Sequence, residues 1–115
     1  MQKILVVEDD INACSAIDEF FSQRGYLTYT ADTLSQAIAT GIRTRPDFLI
    51  TDWMLRDDDN GVDVAKTLKK YNAALKIIFI TAFPSKDLLE QLKNFPAVVI
   101  EKPLSLARLE QAVKS

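Results

Sequence analysis

The chain has 115 residues, a net charge of −2 and a hydrophobic fraction of 48%. This length fits a single domain with its own core, which we expect to span residues 1–115 with no output domain. The small net charge does not indicate the basic face that direct binding to nucleic acid or to an anionic membrane would need. The absence of histidine excludes His-based acid–base catalysis, Ser-His-Asp triads and the commoner zinc sites.

The sequence shows neither a membrane span nor a secretory leader. No apolar run approaches the roughly 20 residues of a spanning helix, and the first residues lead directly into a strand pattern. We therefore expect a cytoplasmic protein. The single cysteine, Cys14, lies in an apolar helical pattern, where it is expected to act as a small buried hydrophobic residue.

Short apolar runs alternate with helical patterns along the whole chain. The runs predict five strands, at 4–7, 27–31, 48–51, 77–80 and 98–100. After each strand, apolar residues recur three or four positions apart, which predicts five amphipathic helices. In the fourth helix, Leu88, Leu89 and Leu92 are expected to face the core, and the helix is expected to end near Asn94.

This alternation is typical of a parallel sheet that is covered by helices on both faces. We predict an α/β domain of the flavodoxin-like, doubly wound (βα)5 class, with five parallel strands in the order 2-1-3-4-5. In that order the binding crevice lies at the carboxyl ends of the strands, where strands 1 and 3 part. Residues that directly follow the strands are therefore the candidate site residues.

Polar side chains stand at the ends of four predicted strands. They are Glu8 and Asp9 after strand 1, Asp52 after strand 3, Thr81 after strand 4 and Lys102 after strand 5. Clustered carboxylates raise one another's pKa unless a cation joins them, and Mg²⁺ is usually held by carboxylates, a backbone carbonyl and water. A metal ion, a lysine and a hydroxyl around an ionised aspartate form a cradle in which the aspartate can attack a phosphorus atom.

These motifs resemble those of the receiver domain of two-component response regulators, the CheY-like superfamily, and the resemblance covers the whole chain. The matching segments are ILVVEDD at 4–10, LITDWML at 49–55, FITA at 79–82 and EKP at 101–103. The resemblance implies phosphorelay signal transduction, in which a sensor histidine kinase or phosphotransfer protein supplies the phosphoryl group. It also implies that the face made by helix 4, strand 5 and helix 5 then switches to control a partner or output domain, and this face is a candidate for homodimerisation.

The resemblance implies a role for each matching residue. Asp52 is the phosphoryl acceptor, Thr81 is the switch hydroxyl, and Lys102 pairs with the phosphoryl group and is joined to Pro103 by a cis peptide. The implied Mg²⁺ ligands are Glu8, Asp9, Asp52 and the backbone carbonyl of Met54. Asp10 is a third candidate for the acidic pair, because the register of the pair can shift by one residue.

The sequence departs from the family pattern in two places that bear on the site. After Asp52, Arg56 and Asn60 stand where the family has proline and glycine, and Gly61 follows one position late, so the loop is expected to be one residue longer. Val99 replaces the aromatic residue that swings with the switch in the family.

Met54 and Phe83 are expected to flank the phosphoryl group, shield it from water and slow self-dephosphorylation.

Three other functional classes compete with the receiver interpretation. A phosphorylation-independent interaction module of the same fold remains an alternative. A phosphatase with an aspartate nucleophile typically needs a second acid two residues on, where this chain has Met54. A flavodoxin needs a hydroxyl- and glycine-rich loop after strand 1, where this chain is acidic. We therefore expect no enzymatic activity beyond self-dephosphorylation.

Overall fold

The computed structural model describes residues 1–55, 58–82 and 84–115. The strands are β1 (Lys3–Val7), β2 (Leu27–Ala31), β3 (Phe48–Asp52), β4 (Lys76–Thr81) and β5 (Val98–Glu101). The helices are α1 (Ile11–Ser22), α2 (Leu34–Thr44), α3 (Gly61–Tyr71), α4 (Lys86–Gln91) and α5 (Leu106–Lys114). Within these described ranges, no helix has the length and apolar character needed to cross a bilayer.

All five strands are parallel and form one sheet in the order β2-β1-β3-β4-β5. The predicted fold class and strand order are confirmed. Val7 pairs with Thr51, and Thr81 pairs with Glu101, so the carboxyl ends of the strands lie level with one another. Because β1 and β3 are neighbours while the chain leaves them toward opposite edges of the sheet, the crevice between them opens at this end.

The core is divided by the sheet into two layers, because successive side chains of a strand point to opposite faces. Leu5 and Val7 of β1 pack on the face covered by α2 and α3, which we call the α2/α3 side. Ile4 and Val6 pack on the face covered by α1 and α5, the α1/α5 side. Strand β3 is buried along its whole length, which explains why its sequence is continuously apolar until it reaches the site.

Helix α4 differs from its prediction. It ends at Gln91, and Asn94, with φ of 63°, lies beyond it in the left-handed region. Leu88 is fully buried, whereas Leu89 is 55% exposed, so the expectation that Leu89 faces the core is wrong. Residues four apart share one face of a helix, so Leu88 and Leu92 pack inward while Leu89, the next residue along, turns outward. Cys14 is likewise only half-buried rather than enclosed.

Candidate functional site

Three polar residues are buried at the carboxyl ends of the central strands. Glu8 follows β1 and is 1% exposed, Asp52 ends β3 and is 9% exposed, and Thr81 ends β4 and is 4% exposed. Lys102 follows β5, and its backbone N–H donates to the Thr81 carbonyl at 2.7 Å. Burying charged and polar groups in an apolar core is unfavourable unless they are paired, so such a cluster is typical of a functional site.

The acidic residues of the site separate into two roles. Carboxylate oxygens of Glu8, Asp9 and Asp52 all lie within 4.8 Å of one another. Asp10 instead forms the N-cap of α1, where its Oδ1 accepts from the backbone N–H groups of Asn12 at 2.9 Å and Ala13 at 3.3 Å. The geometry therefore places Glu8 and Asp9 beside Asp52 and assigns Asp10, the alternative from sequence, to capping.

Lys102 supplies positive charge beside the carboxylates of the cluster. Its Nζ lies 2.8 Å from Asp52 Oδ2 and 3.4 Å from Glu8 Oε2. Burial lowers the pKa of Lys102, but the hydrogen bond and charge of Asp52, together with the charge of Glu8, outweigh this effect and raise the pKa. The ammonium group is therefore charged throughout the physiological range. The Lys102–Pro103 peptide is cis, as the resemblance implied.

Glu8 leaves one buried acceptor of the cluster without a hydrogen bond. Its Oε1 accepts from the Asp10 N–H at 3.0 Å. Its buried Oε2 has no hydrogen-bond partner among the described residues, and the Lys102 ammonium is at an ion-pair distance only. Burial raises the pKa of Glu8, partly countered by the Asp10 N–H. A divalent cation would satisfy this oxygen, and carboxylate oxygens are the ligands that Mg²⁺ prefers, so the residues present fit the metal.

We expect Glu8→Gln to raise the free energy of unfolding at neutral pH by about 1 kcal/mol in Mg²⁺-free buffer, because a neutral amide replaces a buried carboxylate. The folded-state pKa of Glu8 is raised above its ordinary value of 4.5, so the native state binds more protons than the unfolded state between those two pKa values. Wild-type stability therefore falls as pH rises through this window, and the gain in the variant shrinks toward pH 4.5.

Urea unfolding at both pH values measures this effect. Glu90→Gln is the matched control, since Glu90 is exposed and its substitution should change little at either pH. A Glu8→Gln variant that is less stable than the wild type at neutral pH would contradict the prediction.

The loop between β3 and α3 is closed by a short antiparallel bridge between Met54 and Asn60. Its two hydrogen bonds run from Leu55 N–H to the Asp59 carbonyl at 2.8 Å and from Gly61 N–H to the Trp53 carbonyl at 2.7 Å. Neither bond uses the carbonyl of Met54. The bridge thus fixes the loop directly after Asp52 without occupying the backbone oxygen that the resemblance implies as a metal ligand.

Gly61 allows the start of α3 to lie directly against Asp52. A Cβ at this position would stand 2.0 Å from the Asp52 carbonyl oxygen and 2.9 Å from Thr51 Oγ1. The Thr51 hydroxyl donates to the same carbonyl oxygen at 2.9 Å. The loop therefore brings a glycine to the point of closest approach. Asp58, which lies between the bridge partners in sequence, has φ of 60°.

A pocket of about 200 Å³ opens in front of Asp52, and its remaining lining residues are Trp53, Met54, Thr81, Ala82 and Lys102. The predicted acceptor, the predicted switch hydroxyl and the lysine therefore line one pocket.

Val99, at the position of the family's aromatic residue, packs against the α2/α3 side, as does Phe95. The predictions that concern Arg56 and Phe83 fall outside the described residues.

Asn60 is a structural residue of the site that the sequence pattern did not predict. Its Oδ1 caps α3 by accepting from the Val62 N–H at 2.7 Å. Its Nδ2 also donates to Gln91 Oε1 on α4 at 3.0 Å. The Asn-Gly pair before an apolar helical pattern was a usable signal for the cap, whereas nothing in the sequence indicated the contact with Gln91.

Comparison with proteins of known sequence identifies the family. Residues 4–114 match the response regulator receiver domain. The chain is 28% identical over 114 residues to sporulation initiation phosphotransferase F of Bacillus subtilis, and the match covers 98% of this chain and 91% of that protein. It is 30% identical over 112 residues to the transcriptional regulatory protein ZraR of Salmonella typhimurium, covering 96% of this chain but only 25% of that protein.

Solved structures agree with this match. A CheY-like receiver domain protein from Methanospirillum hungatei, which is 23% identical, has the same fold with a TM-score of 0.92, covering 99% of this chain and 91% of that one. The receiver domain of Francisella response regulator 1452 is 27% identical with a TM-score of 0.85, covering 99% of this chain and 94% of that one. The chain therefore belongs to the response regulator receiver domains, the phosphorylation-dependent signalling modules of two-component systems.

Proposed function

We propose that Asp52 is the phosphoryl acceptor of this receiver domain. The observation that carries the proposal is the 2.8 Å pairing of Asp52 with Lys102 inside a buried cluster that also holds Glu8 and Asp9. A phosphorylation-independent module would not require a buried carboxylate group of this kind, whose assembly opposes folding unless the site is used. Thr81 lines the same pocket and can donate its hydroxyl to a bound phosphoryl oxygen.

The phosphoryl group comes from a phosphohistidine of a sensor kinase or phosphotransfer protein. This histidine belongs to the partner protein, because this sequence has none. A carboxylate oxygen of Asp52 forms a bond to phosphorus while the bond between phosphorus and the donor's imidazole nitrogen breaks, and the imidazole is released after protonation. Lys102 stabilises the charge on the transferred oxygens, and Thr81 donates a hydrogen bond to one of them. Hydrolysis of the Asp52 acyl phosphate by water then resets the domain.

Mg²⁺ is the cation we propose for the cluster, held by Glu8, Asp9, Asp52 and the backbone carbonyl of Met54. When bound, it supplies positive charge that offsets the repulsion among the carboxylates and the incoming phosphoryl group. The loop bridge keeps the Met54 carbonyl available for this role.

The readout of phosphorylation is a population shift of the face formed by α4, β5 and α5. Engagement of Thr81 by the phosphoryl group favours one arrangement of this face, which then binds a downstream protein, an output domain or a second copy of the chain. The relatives include both a protein of similar length and regulators about four times as long. We place the domain in the cytoplasm, as a signalling module without other enzymatic activity.

Treatment with acetyl phosphate and Mg²⁺ is expected to add a single phosphoryl group to the wild-type protein and none to Asp52→Asn, because the amide is not a nucleophile toward phosphorus. Intact-mass spectrometry measures the modification. Asp58→Asn is the matched control, since Asp58 is an exposed loop acid whose φ of 60° asparagine tolerates, and it should be modified like the wild type.

Modification that persists in Asp52→Asn would overturn the assignment of the acceptor. An unmodified wild-type protein, tested both with acetyl phosphate and with beryllofluoride, would instead favour the phosphorylation-independent interaction module.

A further inference from the structure

Asn60 lies at a junction between the phosphorylation loop and α4. Both ends of its side-chain amide are used, because Oδ1 caps α3 through the Val62 N–H and Nδ2 donates to Gln91 Oε1 at 3.0 Å. The cap fixes which end of the amide is which, so Nδ2 faces Gln91 as a donor. Asn60 and Gln91 are 31 residues apart in sequence, so this contact ties two separate elements together.

The position of Asn60 depends on the site around Asp52. Asn60 is the bridge partner of Met54, whose carbonyl is a proposed metal ligand. The next residue, Gly61, is in steric contact with the Asp52 carbonyl. A shift of the loop when the site is filled must therefore move Asn60, since it is held on one side by the bridge and on the other by this contact.

Helix α4 is suited to respond to such a movement. It has only six residues, and Leu88 is its fully buried anchor. Helices this short are marginal on their own and depend on tertiary contacts. Gln91 is the last residue of α4, so its hydrogen bond with Asn60 holds the end that is farther from the Ser85 cap.

We propose that Asn60 couples the occupancy of the Asp52 site to helix α4 through its hydrogen bond with Gln91. The proposal rests on the proposed function, in which Asp52 is phosphorylated and Met54 contributes to metal binding. It gives the chain a direct route from the loop to α4. This route does not depend on the switching aromatic residue of the family, whose position is taken by Val99 in this chain. Because coupling is reciprocal, breaking the contact must also change how tightly the site binds its ligands.

A pair of isosteric substitutions can test this contact. In Gln91→Glu the new carboxylate still accepts from Asn60, and in Asn60→Asp one oxygen still caps α3 while the other accepts from Gln91 after its amide turns over. Each single variant keeps a hydrogen bond and adds one charge. The double variant places two carboxylates against each other and breaks the contact, so its effect beyond the sum of the singles reports the coupling.

The measurement is hydrogen exchange of the α4 peptide before and after saturation with beryllofluoride and Mg²⁺, with Mg²⁺ affinity read from the fluorescence of Trp53, the single tryptophan. We expect the wild type and both single variants to change α4 exchange on activation. We expect the double variant to lose most of that change and to bind Mg²⁺ with an affinity altered by about 5-fold or more, the lower end of typical coupling energies. Gln91→Leu, which removes the acceptor without adding charge, should behave like the double variant.

A double variant or Gln91→Leu variant whose α4 responds like the wild type overturns the coupling and leaves the proposed function intact. A wild-type protein whose α4 exchange is unchanged by activation overturns it as well. Failure of the wild type to bind beryllofluoride overturns the proposed function and the coupling together.

Discussion

Gly61→Ala is expected to destabilise the protein by about 2–4 kcal/mol and to weaken Mg²⁺ binding. The added Cβ would lie 2.0 Å from the Asp52 carbonyl oxygen. No rotamer change can relieve this contact, because the backbone of residue 61 fixes the position of the Cβ and the oxygen belongs to the backbone of Asp52. Relief requires α3 to move away from β3, which displaces the loop that carries Met54. The effect is purely steric, because Gly61 does not have the positive φ that would itself disfavour alanine. The glycine with a positive φ is Gly25.

Gly41→Ala provides the matched control for this prediction. Its Cβ would lie 2.5 Å from Leu68 Cδ1, which is the end of a side chain that can change rotamer. Alanine is also favoured over glycine within a helix by about 1 kcal/mol, which offsets part of the clash. Urea unfolding measures the stability of both variants, and Trp53 fluorescence follows Mg²⁺ binding. Equal losses of stability in the two variants, or unchanged Mg²⁺ affinity in Gly61→Ala, would contradict the prediction.

The strand ends could be predicted from sequence because the evidence for them is local. An apolar run that stops at Asp52 or Thr81 marks both the strand and its carboxyl end. The topology of a parallel sheet then brings these ends together. The prediction that Leu89 faces the core failed because the six-residue α4 buries only Leu88 fully and leaves Leu89 55% exposed, a packing detail that the spacing of the leucines does not decide.

Features that depend on non-local geometry could not be predicted. The register of the acidic pair was open by one residue in the sequence, because Asp9 and Asp10 are chemically identical, and the structure places Asp10 at the N-cap of α1. The sequence showed Gly61 one position late, but its contact with Asp52 depends on how the loop folds back. The bond between Asn60 and Gln91 spans 31 residues and is made by two side chains that are common on protein surfaces.

Lys102→Met is expected to lower the free energy of unfolding at neutral pH by about 1–3 kcal/mol in Mg²⁺-free buffer. The substitution leaves Asp52 and Glu8, whose side chains are 12% and 1% exposed, without their cation. Breaking a fully buried pair in this way typically costs about 3–5 kcal/mol, and the smaller figure applies because the Lys102 side chain is 29% exposed and partly screened by solvent. The rate of Asp52 phosphorylation should fall about 100-fold, as when other charge-stabilising donors are removed.

The loss of stability in Lys102→Met should depend on pH. The folded-state pKa of Lys102 is raised above 10.5, so the lysine's own contribution is fully present below pH 10.5 and does not vary near neutrality. The pKa of Glu8 is raised by burial, and Lys102 acts to lower it, so removing the lysine raises it further. The stability of the variant should therefore fall more steeply than that of the wild type as pH rises from about 4.5 toward neutral.

Urea unfolding across this pH range, with and without Mg²⁺, tests the prediction, and Lys66→Met controls for the same substitution at an exposed site. Mg²⁺ should restore part of the stability lost in Lys102→Met, because a bound cation replaces the missing charge and binds only the native state. A loss that is independent of both pH and Mg²⁺ would show that the lysine acts through packing alone. Lys102→Met should lower the free energy of unfolding and Glu8→Gln should raise it. The first substitution increases the excess negative charge buried at the site, and the second decreases it.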